Sequence, residues 1–261
     1  MTRSRELRRI SALAFFLFVS LGTWAVASPV GSAPDDTYHL PVTWCSWGES
    51  ASCDFVGGED GILVPSQITS VCTFQQPLRS ASCEFDVTQE LVPAPHVQYV
   101  GQQNSLSGRT PFHVVMRALV GDDSAASVLA MRLFNALLFT ALVAVSLFLL
   151  PAKLKVPFAA ATVVGIVPVG MFIIASTNPS SWAVSAGAIF WVALVALLGK
   201  QSVRSRSAAA LFALVVFSAV LAVGSRLESA VVLAYSSVAA MIYTFSVWKR
   251  DRVRIVAIAA G

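Results

Sequence analysis

The chain has 261 residues, of which 56% are hydrophobic and only 12% are charged, and its mean hydropathy is +0.72. This charged fraction is about half that of ordinary soluble domains, so most of the chain must lie in lipid. Leu, Val, Ala and Phe are too abundant for a collagen-like, coiled-coil or intrinsically disordered protein. The composition therefore predicts a multipass membrane protein.

Six apolar runs are long enough, or nearly so, to cross a hydrocarbon core of about 30 Å. They predict an all-α membrane fold with about six transmembrane helices, near residues 10–30, 128–150, 156–176, 182–199, 208–225 and 229–248. The last five form a five-helix bundle over residues 128–248. The first run also fits a cleaved signal peptide, because Ala25-Val26-Ala27 resembles a cleavage site, but its continuation through Val30 favours a retained helix.

The basic residues are divided unequally between the two sides that these spans separate. Thirteen of the eighteen Lys and Arg residues lie at 3–9, 153–155, 200–206 and 249–254, which share one side if every run crosses. The positive-inside rule makes that side the cytoplasmic face of the plasma membrane, with a basic N-terminus at residues 1–9. Basic clusters between apolar runs do not predict nucleic-acid binding. Residues 249–261 are expected to be a cytoplasmic segment with the start of a seventh helix, so the chain is either complete or the N-terminal part of a longer protein.

Residues 31–121 are predicted to form a small, disulfide-bonded, β-rich extracytoplasmic domain between helices 1 and 2. Residues 29–123 hold eleven acidic and only three basic residues, a formal charge of −8. Short strands are expected within 62–74 and 97–100. A short helix at 111–120 is expected to lie in the membrane interface with one apolar face, formed by Phe112, Val115, Met116 and Leu119, and with His113 off that face.

Four cysteines in this segment predict two disulfides in an oxidising compartment. The sequence Ser-Ala-Ser-Cys-Asp-Phe at 50–55 recurs as Ser-Ala-Ser-Cys-Glu-Phe at 80–85, and each copy follows another cysteine. This repeat favours Cys45 with Cys53 and Cys72 with Cys83, although two other pairings remain open. A zinc site that also uses His96 or His113 is the alternative.

Three short polar segments are candidates for chemistry. Adjacent carboxylates, Asp35 and Asp36, with His39 three residues later can position a general base or bind a divalent cation, whereas a solvent-exposed turn explains the same residues. Arg226 can hold an anionic headgroup or form an ion pair with Glu228 in a short outer loop. Asn178-Pro179-Ser180 predicts a helix start, followed by Trp182 in the aromatic belt. Motifs of nucleotide hydrolases, dinucleotide-dependent enzymes, serine hydrolases and zinc proteases are absent from the sequence.

Several motifs together resemble the actinobacterial multipass membrane family catalogued as domain of unknown function 2142. They are Ala27-Ser28-Pro29, Pro34-Asp35-Asp36 with His39, Ala130-Met131-Arg132-Leu133, Asn135-Ala136-Leu137-Leu138 and Asn178-Pro179-Ser180. The family's usual signature is Pro-Asp-Glu followed by His. The chain departs from the family in being shorter, and in having Trp182 near the place where an acidic residue often follows Asn-Pro.

The layout of that family is similar to that of the GT-C glycosyltransferases, which use lipid-phosphate-linked sugars and keep an acidic residue in the first external loop. The resemblance implies a transferase that takes a polyprenyl-phosphate sugar to an envelope glycan. Asp36 would be its base or cation ligand, Asp35 and His39 would assist, and Arg226 would hold the donor phosphate. The alternative is a non-enzymatic envelope protein whose exported domain binds a partner. A transporter ranks third, because no ionisable residue lies in the middle of a predicted span.

Overall fold

The computed structural model describes residues 3–56, 61–69, 96–99, 109–166, 168–199 and 205–259. Most of these residues are helical. The helices, in chain order, are α1 (Arg3–Ala27), α2 (Asp36–Trp44), α3 (Pro111–Met116), α4 (Ser124–Leu149), α5 (Ala152–Gly165), α6 (Pro168–Ile174), α7 (Ser180–Leu198), α8 (Ser205–Ser225) and α9 (Ser229–Ala259). Three short strands are β1 (Asp54–Val56), β2 (Gly61–Pro65) and β3 (His96–Tyr99).

Five of the described helices are long and apolar enough to cross a membrane, namely Ser4–Ala27, Ser124–Leu149, Ser180–Leu198, Ser207–Ser225 and Ser229–Trp248. They match five of the six predicted spans, because a continuous apolar run in lipid must satisfy its backbone groups internally and does so as a helix. Large apolar side chains on them are exposed, for example Phe16 at 66% and Ile242 at 62%, as expected of lipid-facing surfaces.

The third predicted span, near 156–176, is not one straight helix. It consists of α5 and α6, which meet at an angle of 90°. Pro168 explains the break, because proline cannot donate the backbone hydrogen bond of a helix interior and disfavours helical geometry in the residue before it. The described residues therefore contain five candidate spans, or six if this bent pair counts as one.

The C-terminal segment is helical. Residues after Trp248, where the start of a seventh helix was expected, continue α9 as far as Ala259. The candidate span within α9 nevertheless ends at Trp248, where the basic residues start.

The segment between α1 and α4 combines helices with an antiparallel sheet of order β1-β2-β3. The expected strands near 62 and 97 are present, and β2 ends at Pro65, whereas α2 was not expected. Buried apolar side chains of α2, β2 and α3 form the core of this segment: Leu40, Val42, Trp44, Ile62, Val64, Phe112 and Met116.

The chain divides into two compact units. The first contains residues 1–14, 139–166 and 183–261, and the second contains residues 15–138 and 167–182. Asp35, Asp36 and His39 all belong to the second unit. The first unit contains a cavity of about 730 Å³. It is lined by Pro151, which follows α4, by the start of α5, and by residues at the ends of α7 and of the α9 span.

Candidate functional site

The two adjacent carboxylates after α1 lie in different environments. Asp35 is exposed and directly precedes α2. Its backbone angles, φ 60° and ψ 12°, lie in the left-handed region that non-glycine residues rarely adopt. Its carbonyl oxygen accepts hydrogen bonds from the backbone N–H groups of Tyr38 and His39, both at 2.9 Å. Asp36 begins α2 and is fully buried. The sharp turn at Asp35 thus separates an exposed carboxylate from a buried one.

Both oxygens of the buried Asp36 carboxylate have donors. Thr177 Oγ1 donates to Oδ1 at 2.5 Å, while the Ala33 backbone N–H and Arg132 Nη2 donate to Oδ2 at 3.3 and 3.4 Å. Burial raises the pKa of the Asp36 carboxyl, and the Arg132 charge, followed by the bonds from Thr177 and Ala33, opposes that rise. Asp36 is therefore not part of a solvent-exposed turn, whereas Asp35 is exposed to solvent.

Arg132, two turns into α4, holds the C-terminal end of α1. Its Nη1 donates to the carbonyl oxygens of Ser28 at 2.5 Å and Ala25 at 3.5 Å, and its Nη2 donates to that of Pro29 at 2.7 Å. A cation at this position is favourable, because the last carbonyls of a helix lack partners within the helix and carry partial negative charge. Arg132 is itself only 2% exposed, so it forms a buried ion pair with Asp36.

A second group of hydrogen bonds fixes the link between α6 and α7. Asn135 Nδ2 donates to the Ser176 carbonyl at 2.7 Å, and Trp182 Nε1 donates to Asn135 Oδ1 at 2.9 Å. Asn178 Nδ2 donates to the Pro34 carbonyl at 2.6 Å, beside Asp35. Ser180 begins α7, so the predicted helix start is confirmed. The Trp182 side chain is buried against Phe112, and its expected depth in the aromatic belt stays a prediction.

His39 is paired with a second histidine. Its Nδ1 lies 3.1 Å from His113 Nε2, and both rings are buried. The other ring nitrogen of His113, Nδ1, accepts the Thr110 backbone N–H at 3.1 Å in a capping box at the start of α3. A backbone N–H can only donate, so neutral His113 carries its proton on Nε2 and donates it to His39. His39 is thus held with Nδ1 as an acceptor.

The short helix α3 does not present the predicted face. Phe112 and Met116 are buried as expected, but His113 is buried with them and Val115 is 44% exposed. The Trp47 side chain, 61% exposed, lies beside this helix and donates from Nε1 to the Val114 carbonyl at 3.0 Å. The Arg117 guanidinium lies over the Trp47 ring at 5.7 Å from its centroid.

One predicted disulfide is confirmed. Cys45, which follows α2, is bonded to Cys53, next to β1, and this excludes both from a zinc site. Cys72 and Cys83 lie outside the described residues. Within the described residues there is no group of three or more His, Cys, Asp and Glu side chains that could hold a metal ion.

Arg226, the predicted phosphate-binding residue, lies between α8 and α9. Its N–H donates to the Ala222 carbonyl, and its own carbonyl accepts from Ser229, so α9 starts immediately after a tight turn. Arg226 belongs to the first compact unit and the Asp36 cluster to the second. Its shared role with the carboxylates stays a prediction.

Sequence reasoning missed Arg132 and Thr177 as partners of Asp36. The usable signal was Arg132 itself, a charged residue four positions into the apolar run 128–150, because charged residues within an apolar run face a protein interior and need a partner. The partner itself had no local signal, since Asp36 and Arg132 are 96 residues apart in the chain.

Residues 17–261 match the family described as "Predicted membrane protein (DUF2142)". The chain belongs to the DUF2142 family. The suspected family is therefore confirmed over nearly the whole chain. Searches of curated proteins and of solved structures find no match. In this DUF2142 chain, the Pro-Asp-Asp motif at residues 34–36 provides an exposed carboxylate, Asp35, and a buried one, Asp36, that is paired with Arg132.

Proposed function

We propose that the chain crosses the plasma membrane six times, with a cytoplasmic N-terminus and an extracytoplasmic segment between α1 and α4. The first support is the shared cavity of the first unit. Pro151, which follows α4, lines it together with residues at the ends of α7 and of the α9 span, which favours an arrangement in which these three spans end on the same face of the membrane. Because α7 ends where α4 ends, residues 150–179 must cross back between them, and the bent pair α5–α6 is the crossing.

The second support comes from contacts at the ends of that crossing. Lys155, in the first turn of α5, forms an ion pair with Glu6 near the start of α1. At the other end, Thr177 and Asn178 contact Asp36 and Pro34, which follow the end of α1. The face that holds the N-terminus and Lys155 is also the face that carries thirteen of the eighteen basic residues, which favours a cytoplasmic assignment.

We further propose that the protein is a GT-C-like glycosyltransferase, or the N-terminal part of one, that acts on lipid-linked sugars at the outer leaflet. The observation that carries this proposal is Asp35, an exposed carboxylate held with φ 60° beside a buried and fully bonded Asp36. Such backbone conformations cost about 1–3 kcal/mol, persist only where the surroundings enforce them, and are concentrated at functional sites.

In this proposal Asp35 is the general base and Asp36 is a positioning residue. The acceptor hydroxyl oxygen attacks the anomeric carbon of the donor, the bond to the lipid phosphate breaks, and Asp35 takes the hydroxyl proton. Asp36 is less suited to that step, because its oxygens are occupied by Thr177, Arg132 and Ala33. Donor phosphate binding by Arg226 remains part of the proposal.

The test is glycan assembly in cells that lack the wild-type protein and express single variants. Asp35→Asn keeps the size and removes the charge, so transfer should fall by roughly 10² to 10⁴, the range for a positioned acid or base. Glu49→Gln is the matched control, because Glu49 is an exposed carboxylate of the same segment. Full assembly by Asp35→Asn, at the expression level of the control, would refute the transferase proposal.

A second candidate function is a membrane-anchored module that binds an envelope partner. The exposed Trp47 ring favours it, because an exposed tryptophan beside Val114 and Arg117 has the composition of an interaction hot spot. Trp47→Ala should then abolish function while Asp35→Asn leaves it intact. The transferase proposal requires Asp35→Asn to abolish function.

A further inference from the structure

The cavity of the first compact unit lies where three spans end. Its wall contains Pro151 after α4, Val195 and Gly199 at the end of α7, and Met241 and Trp248 at the end of the α9 span. With a volume of about 730 Å³, it is within the usual range of sites for small ligands. Met241 is 53% exposed, so part of the cavity wall lies at the surface of the spans, which a membrane protein presents to lipid.

The chemistry of the wall changes along the cavity. Most of the lining side chains are aliphatic or aromatic, but Lys153, in the first turn of α5, also lines it and is exposed. The basic segments 200–206 and 249–254 follow directly after the ends of α7 and of the α9 span. An apolar wall that also carries the Lys153 side chain matches an amphiphile with long hydrocarbon chains and an anionic headgroup.

Trp248 lies on the wall and is the last residue of the α9 span, directly before the basic residues in the sequence. Tryptophan prefers the boundary between lipid and water, because its ring is largely apolar and its N–H is polar. Snorkelling of the Lys153 side chain from the same boundary would bring its ammonium group to the level of a lipid phosphate.

We propose that this cavity binds one anionic phospholipid, with an acyl chain between α7 and α9 and the phosphate beside Lys153. In the proposed topology this phospholipid belongs to the cytoplasmic leaflet. The choice of leaflet rests on that topology, whereas the proposed binding does not. The cavity wall contains none of Asp35, Asp36 and Arg226, so the lipid-binding proposal does not depend on the transferase proposal.

Native mass spectrometry of the full chain in a mild detergent tests the proposal, with palmitoyl-oleoyl phosphatidylglycerol and phosphatidylcholine as the probes. One phosphatidylglycerol should bind about five-fold more tightly than phosphatidylcholine, since one lysine near a membrane surface contributes about 1 kcal/mol. Lys153→Gln should remove that preference. Lys155→Gln, which removes a charge two residues away and outside the cavity wall, should keep it.

Two tryptophan substitutions on α9 test the cavity itself. Ser246→Trp adds a large ring at an exposed lining residue and should lower phosphatidylglycerol binding at least ten-fold. Ala239→Trp adds the same ring two turns earlier on a similar side of α9, outside the cavity, and should leave binding unchanged.

Equal lipid binding by Ser246→Trp and Ala239→Trp would overturn the proposal, as would equal affinity of the wild type for the two phospholipids. Selective binding of a polyprenyl phosphate over phosphatidylglycerol would overturn the assignment to a phospholipid. A reporter fused at Ser202 that reports the outer side would refute the proposed topology and the choice of leaflet, while the binding measurements would stand.

Discussion

Replacement of Arg132 by Met tests the central structural interpretation of the site. Methionine is unbranched and apolar, so it fills much of the same space but leaves Asp36 and the carbonyls of Ser28 and Pro29 without the guanidinium donors. Breaking a buried ion pair on one side costs about 3–5 kcal/mol, because the other charge stays buried without compensation. At about 2–4 °C per kcal/mol for a chain of this size, Tm should fall by about 6–20 °C.

The assay is thermal unfolding of the purified chain in detergent at a fixed scan rate, because unfolding of a membrane protein is commonly irreversible. Arg5→Met is the control, since Arg5 is exposed on α1, and its Tm should stay within about 2 °C of wild type. The double variant Arg132→Met with Asp36→Leu should melt above Arg132→Met alone, because it removes both charges. If Arg132→Met has the same Tm as Arg5→Met, or if the double variant has a lower Tm than Arg132→Met, then the ion pair of Arg132 with Asp36 does not hold α1 and α4 together.

Three further predictions concern pH dependence, the disulfide and the topology. Because burial raises the pKa of Asp36, the folded chain binds a proton at this carboxyl more tightly than the unfolded chain does. Lowering the pH from the folded-state pKa to 3.8 should therefore raise the Tm of the wild type relative to that of Asp36→Asn. A Tm difference between the two proteins that does not change with pH would contradict this prediction. The double variant Cys45→Ser with Cys53→Ser should lose about 2.5 kcal/mol, the chain-entropy value for a separation of 8 residues, and so melt about 5–10 °C lower; an unchanged Tm would show that the bond does not stabilise the fold. Reporter fusions should place Ser202 in the cytoplasm and Gly101 outside, and a cytoplasmic Gly101 would remove the basis for an exported domain.

The spans were predictable because their cause is local. A run such as residues 128–150 must form a helix in lipid whatever its neighbours do, and α4 ends within one residue of the prediction. The break at Pro168 carries a local signal too, since proline disfavours an uninterrupted helix, but hydropathy averaged over a window does not register it.

The polar site was much less predictable, because its contacts join distant parts of the chain. Asp36 meets Arg132 and Thr177 at separations of 96 and 141 residues, and no pattern of spacing within one segment encodes such a pair. The face of α3 was misassigned for a different reason. Six residues are less than two helical turns, so the apolar pattern could not determine that His113 packs inward and Val115 outward.

The separation of Asp35 from Asp36 makes chemistry and positioning distinguishable by experiment. Asp36 is held by α4 through Arg132 and by the link after α6 through Thr177, and its position limits where the exposed Asp35 carboxylate can lie. Arg132→Lys keeps the charge but cannot donate in fixed directions to Asp36, Ser28 and Pro29 together, so it should lower Tm and transfer in parallel. Asp35→Asn should lower transfer alone, because an exposed carboxylate contributes little to stability. A loss of stability in Asp35→Asn equal to that in Arg132→Lys would make both residues structural and would favour the anchored binding module.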